Sequence, residues 1–130
     1  MARVRFKNGR KFRLDLRKFA ELTEEQHAAL LKKIAFQLLG LIVSKTPVDT
    51  GRAQNNWQVA VDAAAGTAQV SGGGNVFSGA LSALAKVKAF STIILYNNVE
   101  YIVFLEHGTS KQAPRGMVSV SIQEVESQFR

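Results

Sequence analysis

Residues 46–57 read Thr46-Pro47-Val48-Asp49-Thr50-Gly51-Arg52-Ala53-Gln54-Asn55-Asn56-Trp57, and the fold turns on this stretch. Upstream runs the one long helical pattern in the chain; downstream come short alternating segments that read as strands. Pro47 disfavours the α conformation at Thr46 and has no N–H to donate, so a helix arriving from upstream stops here. Asp49 and Thr50 have side-chain oxygens that fold onto nearby backbone N–H groups, and Gly51 accepts a positive φ.

Immediately upstream, Thr23-Glu24-Glu25-Gln26 is a capping box. The Thr23 hydroxyl accepts from the Gln26 N–H while the Gln26 side chain reaches back. Glu24 and Glu25 suit the positive end of a helix dipole. Leu30, Leu31, Ile34, Leu38, Leu41 and Ile42 then recur at helical spacing with Ala35 on the same side, and Lys32 and Lys33 mark the wet face. A helix is predicted from about Glu24 to Ser44, roughly 30 Å long. Gly40 costs it about 1 kcal/mol relative to Ala and leaves room for a close helix crossing.

Further upstream, Arg3-Val4-Arg5-Phe6-Lys7 and Lys11-Phe12-Arg13-Leu14 alternate cationic and apolar residues around Asn8-Gly9, the pattern of a hairpin. A two-residue turn would mix polar and apolar groups on both faces. A three-residue loop sets Phe6 opposite Phe12, Val4 opposite Leu14 and Arg5 opposite Arg13, which sorts one apolar face from one cationic face.

Downstream of the corner, Trp57 to Asp62 alternates as a half-buried strand, and Thr67 to Ser71 returns as a weaker one. Gly72-Gly73-Gly74-Asn75 lacks the Gly-Lys-Ser/Thr that a phosphate loop needs, so it reads as a flexible connection. Ser78 to Ala89 reads helical and Ser91 to Asn97 reads as strand. Tyr101 to Leu105 fits two helical turns with Gly108 as a C-terminal cap. A loop with Pro114 and Gly116 leads to an amphipathic helix over 117–129, with Val118, Ile122, Val125 and Phe129 on one face. The expected architecture is α+β: one domain over 1–130, with a basic hairpin arm (1–18), a long helix (23–45) packed on a small antiparallel sheet, and an α+β body (46–130) with shorter helices.

Composition narrows the function. The net charge of +7 is concentrated at the front, where residues 1–20 hold eight Lys/Arg against Asp15 alone; the other residues carry nine of each sign. There is no cysteine, hence no disulfide framework and no thiolate zinc site. The longest aliphatic run, Leu38 to Val43, falls far short of the ~20 residues that span a bilayer, so no membrane partner is expected. No apolar h-region follows the basic N-terminus, so no signal peptide is expected. The residues that could carry catalytic chemistry are Asp49, Thr50, Arg52, Glu106 and His107. The first two are better explained as turn formers and Arg52 as their electrostatic neighbour, while Glu106 and His107, adjacent in sequence, need not converge. With two histidines and no cysteine, a three-ligand metal site is not expected. No catalytic residue, metal or cofactor is therefore assigned.

Two corners read together say more. Thr46-Pro47-x-Asp49-Thr50-Gly51-Arg52 followed by Trp57 pairs with Asn97, Tyr101, Glu106, Gly108 and Thr109, then Pro114 and Met117. In that order, over about residues 24–128, the set resembles the neck or tail-completion proteins of long-tailed bacteriophages, a family that takes in minor-tail-protein-Z-like sequences. The resemblance implies a structural virion protein rather than an enzyme, assembled in the host bacterial cytoplasm and ending in the neck or tail. It implies a ring of the chain with itself, a hexamer first and a dodecamer second, with head-closure or connector and tail-terminator or tail-tube proteins as neighbours. Arg3, Arg5, Lys7, Lys11 and Arg13 would then face DNA in the lumen or an acidic neighbour. The other reading is a free nucleic-acid-binding domain that uses the same hairpin. Arg52 and Glu106 are expected to lie close together, tying the two corners.

Overall fold

The computed structural model describes residues 2–6, 11–14, 22–47, 53–66, 76–89, 91–99, 102, 106–107 and 116–128, the first two segments by backbone alone. In chain order the elements are β1 (Ala2–Phe6), β2 (Lys11–Leu14), α1 (Glu24–Lys45), a 3₁₀ turn (Gln54–Asn56), β3 (Trp57–Val61), α2 (Val76–Leu84), β4 (Thr92–Asn97) and α3 (Val118–Ser127). The fold is α+β. The predicted return strand at Thr67–Ser71 and the glycine run at 72–74 lie outside the described residues.

The four strands form one sheet in the order β2-β1-β4-β3. β1 pairs with β2 and β3 with β4 antiparallel, while β1 lies parallel to β4, so the hairpin is continuous with the sheet of the body. The hairpin register is Ala2 opposite Leu14, Arg3 opposite Arg13, Val4 opposite Phe12 and Arg5 opposite Lys11. That is two residues away from the predicted pairing. A two-residue slip preserves the sorting of the faces, so the alternation could not choose between them. The pairing with β4 puts Val4 beside Ile93 and Phe6 beside Leu95. One face of the sheet therefore carries the row Phe12, Val4, Ile93, Val61, with Leu95, Val59, Asn97 and Trp57 further along. The other carries the row Lys11, Arg5, Ile94, Ala60 and, beside it, Arg13, Arg3 and Thr92.

The core sits on the first face. Ile93, Leu95 and Trp57 are buried there with Leu31, Ile34, Ala35, Leu38, Leu39, Ile42 and Val43 of α1. The stripe on α1 is displaced from the predicted one: Leu30 and Leu41 are only part-buried, while Leu39 and Val43 join the core. The helix has to satisfy three neighbours, the sheet, α2 and α3, so its apolar band is wider than a single stripe. Gln37 donates to the Gln128 side chain at 3.0 Å and Lys45 meets Glu124 at 2.8 Å across the α1–α3 contact. The ion pair is part-exposed and contributes at most about 1 kcal/mol. Phe36 and Phe77, ring centroids 5.6 Å apart, join α1 to α2.

The capping box forms as predicted: the Thr23 N–H donates to Gln26 Oε1 at 2.9 Å and the Gln26 N–H donates to Thr23 Oγ1 at 3.2 Å. By length and composition α1 could cross a membrane, but its buried residues are those of the core. α2 begins two residues before the predicted start and ends at Leu84, where the chain turns at Ala85 and Lys86; the Lys88 N–H donates to Ser91 Oγ at 2.9 Å.

Gly40 corrects another expectation. A Cβ built there meets nothing within 4 Å among the described residues, so no close crossing with them depends on it. Gly40→Ala is accordingly expected to stabilise the fold by about 0.5–1 kcal/mol, through helix propensity and a less disordered unfolded chain. A urea midpoint that rises with an unchanged slope would confirm this; a fall would mean that the glycine is needed for close approach.

Candidate functional site

The described part of the first corner gathers at the end of the sheet, where Asn97 ties it to the start of the second. Pro47 ends α1 as predicted, with Thr46 extended at φ −70° and ψ 126°. The buried Thr46 hydroxyl donates to the Ile42 carbonyl at 2.6 Å and accepts the Trp57 indole N–H at 2.8 Å. One hydroxyl thus satisfies a carbonyl left unpaired at the helix end and the single polar group of a buried indole. Gln54 adds a bond from Nε2 to the Val43 carbonyl at 3.2 Å. Trp57 opens β3, so these contacts fix the end of α1 to the start of a strand.

Asn97, paired with Trp57 across β3–β4, links this joint to the second corner. Its Nδ2 donates to the Ala53 carbonyl at 2.8 Å and its Oδ1 accepts the Val99 N–H at 3.0 Å. Its side chain is buried and both its ends are engaged, which turns the chain out of β4 toward the buried Ile102.

Glu106 performs a task that its position in the sequence did not announce. Oε1 accepts the N–H groups of Met117 and Val118, each at 2.8 Å, and Oε2 accepts the N–H and hydroxyl of Ser119, each at 3.1 Å. Met117, at the N-cap of α3, makes no capping bond of its own. The carboxylate therefore caps α3 from another segment, where the helix dipole favours negative charge. Gly116, at φ +81°, lies against it: a Cβ there would collide with the Glu106 carbonyl oxygen and stand 2.9 Å from Cδ and Oε1. His107 follows in an exposed turn.

Of the sequence-predicted motif, Thr46, Pro47, Trp57 and Glu106 are described, and all four serve the two joints. Asp49, Thr50, Gly51, Arg52, Tyr101, Gly108 and Thr109 lie outside the described residues, as does the expected approach of Arg52 to Glu106. Arg3, Arg5, Lys11 and Arg13 share one face of the sheet by register; Lys7 lies outside. Sequence reading missed three working residues. Gly116 and Ser119 complete the Glu106 cap. Asp62, at φ 52°, holds the turn before β4, accepting the Ser91 hydroxyl at 2.8 Å and the Thr92 N–H at 2.9 Å. Only Gly116 left a local signal, a glycine just ahead of a helical pattern.

Chemically, these groups cap helices and join segments. Among the described residues no group of His, Cys, Asp and Glu is placed to hold a metal ion. What the geometry defines is a small scaffold with fixed corners.

The comparisons with known proteins agree with that class. Residues 10–108 match the family described as "Bacteriophage HK97-gp10, putative tail-component". The chain belongs to this family and is a component of the bacteriophage tail. No curated protein and no solved structure matches it.

Proposed function

We propose that this tail component is a subunit of the phage neck, closing into a ring with copies of itself and joining the completed tail to the head connector. The observation that carries the reading is the family match over residues 10–108, which spans both corners up to Gly108. The work is structural: the chain holds surfaces in place for its neighbours. A closed ring needs two different complementary patches on each subunit.

The surface of α2 supports one such patch. Residues 63–85 contain no Asp, Glu, Lys or Arg, although charged residues make up 21% of the chain. Within this stretch Leu81 is 58% exposed, the large apolar side chain most open to solvent among the described residues. Ser78, Gly79, Ser82 and Ala85 are exposed around it. A helix side with no charge and an outward leucine suits contact with another subunit better than contact with water.

Phage made without this chain and supplied in trans with wild type or Leu81→Asp tests the reading. Separate heads and tails are expected without the chain, and joined particles with wild type. Leu81→Asp should melt like wild type yet self-associate ~10-fold or more weakly, since burying a carboxylate in an apolar contact costs more than about 1.4 kcal/mol. Infectious, joined particles assembled in the absence of the chain would sink the proposal.

A further inference from the structure

We infer that the sheet face opposite the helices binds the phosphate backbone of duplex nucleic acid, without regard to base sequence. The register carries the inference. Arg3 and Arg5 on β1 stand opposite Arg13 and Lys11 on β2, so four cationic positions share one face. Two residues along a strand span about 6.7 Å and neighbouring strands lie about 4.8 Å apart, which places all four in a patch of about 7 by 5 Å. None of the four strands contains Asp or Glu. Asp62 follows β3 at the end of the Arg13-Arg3-Thr92 row, two strands from Arg3, and its carboxylate is held by Ser91 and Thr92.

Like charges directly opposite each other disfavour the pairing that the hairpin nevertheless adopts. An external polyanion would offset that repulsion. Duplex nucleic acid presents one negative charge per about 1.7 Å of its axis, counting both strands, a dense line of the opposite sign for such a patch to meet. The neighbouring positions are uncharged: Thr92 and Ile94 on β4, Gln58 and Ala60 on β3, all part-buried. Threonine is among the side chains that bond to phosphate oxygens. The aromatic residue on this face, Tyr96, is buried and its hydroxyl lies 3.2 Å from Gln58 Oε1, so it offers no platform on which unpaired bases could stack. Trp57, Ile93 and Leu95 enter the core from the opposite face, while Tyr96 is buried on this one with its hydroxyl beside Gly66. The binding would be a property of the isolated chain, whatever its place in the neck.

The test uses the full chain and a fluorescent 25-base-pair duplex of mixed sequence, with affinity measured by anisotropy between 50 and 200 mM salt. Four phosphate contacts predict a log–log slope of about −3.6, or roughly a 100-fold loss of affinity across that range. The double substitution Arg3→Gln with Arg5→Gln should lower the magnitude of the slope by about 2. Arg3→Lys with Arg5→Lys should keep it. Lys32→Gln with Lys33→Gln removes the same charge from α1 and should also leave the slope in place. If the glutamine variant of the hairpin unfolds, the wild-type slope and the α1 control still decide. No duplex binding at 50 mM salt, or an equal loss of slope in the α1 control, would overturn the inference. Binding to polyglutamate but not to the duplex would overturn it too, and assign the face to an acidic protein.

Discussion

Replacing Glu106 with alanine is expected to lower the stability of the fold by about 3 kcal/mol, because one carboxylate satisfies the first turn of α3. Three backbone N–H groups and one hydroxyl converge on its two oxygens. The first N–H groups of a helix have no partner within the helix. Here none comes from the N-cap side chain, which is Met117. Met117 and Val118 are buried, so water is a poor substitute at the same place. Glu106→Gln keeps the shape but loses the charge and turns an amide NH₂ toward one set of donors, so about half the alanine effect is expected. Gly116→Ala should cost about 2–4 kcal/mol from the other side of the same contact, through the αL backbone and the collision with Glu106. Urea denaturation followed by circular dichroism measures all three. A catalytic glutamate would behave in the opposite way, losing activity on Glu106→Gln with folding intact. Unchanged midpoints in Glu106→Ala and Gly116→Ala would remove the cap from the account of this fold.

How much of this was legible in the sequence depends on how far apart the interacting residues lie. The Thr23–Gln26 box and the stop at Pro47 are local, governed by residues within a turn of each other, and both formed as read. The stripe on α1 was read correctly in period but displaced in phase, because α3 claims part of the helix and joins it from the far end of the chain. In the hairpin, alternation determined which residues share a face. The absolute pairing was left to β4, whose Ile93 and Leu95 take Val4 and Phe6 beside them. The site followed the same rule. Thr46 and Trp57 stood out as a motif, yet the bond between them is a tertiary fact. Glu106 stood out as well, but its partners lie eleven to thirteen residues further on, across a loop that no periodicity reaches. Asn97 was noted for its spacing to Tyr101, while its bridge from Ala53 to Val99 depends on strand pairing. Conversely, Gly40 looked meaningful in sequence, yet no described residue lies within 4 Å of a Cβ built there.

Trp57→Ala should be among the most damaging single changes in the chain, at about 3–5 kcal/mol, the cost of emptying an indole-sized space in a close-packed core. Trp57 is 5% exposed, lies in the core with α1 and pairs with Asn97 across the sheet. The size of the loss alone would not show that the Thr46 bond matters, so the informative variants are the conservative ones. Thr46→Val preserves the volume but strands the indole N–H beside a methyl group and frees the Ile42 carbonyl, at an expected cost of about 1–3 kcal/mol. Trp57→Phe removes the donor and some volume together, at about 1–2 kcal/mol. In the Trp57→Phe background, Thr46→Val has no indole left to strand, so its cost should shrink by about 1 kcal/mol. That coupling is the signature of a joint between α1 and β3 rather than of two residues that merely share the core. Hydrogen exchange gives a second measure: Thr46→Val should speed the exchange of the last turn of α1 more than that of its first. Strict additivity of Thr46→Val and Trp57→Phe, with uniform exchange along α1, would mean that the corner is held by packing alone and that the Thr46 hydroxyl only completes the helix end.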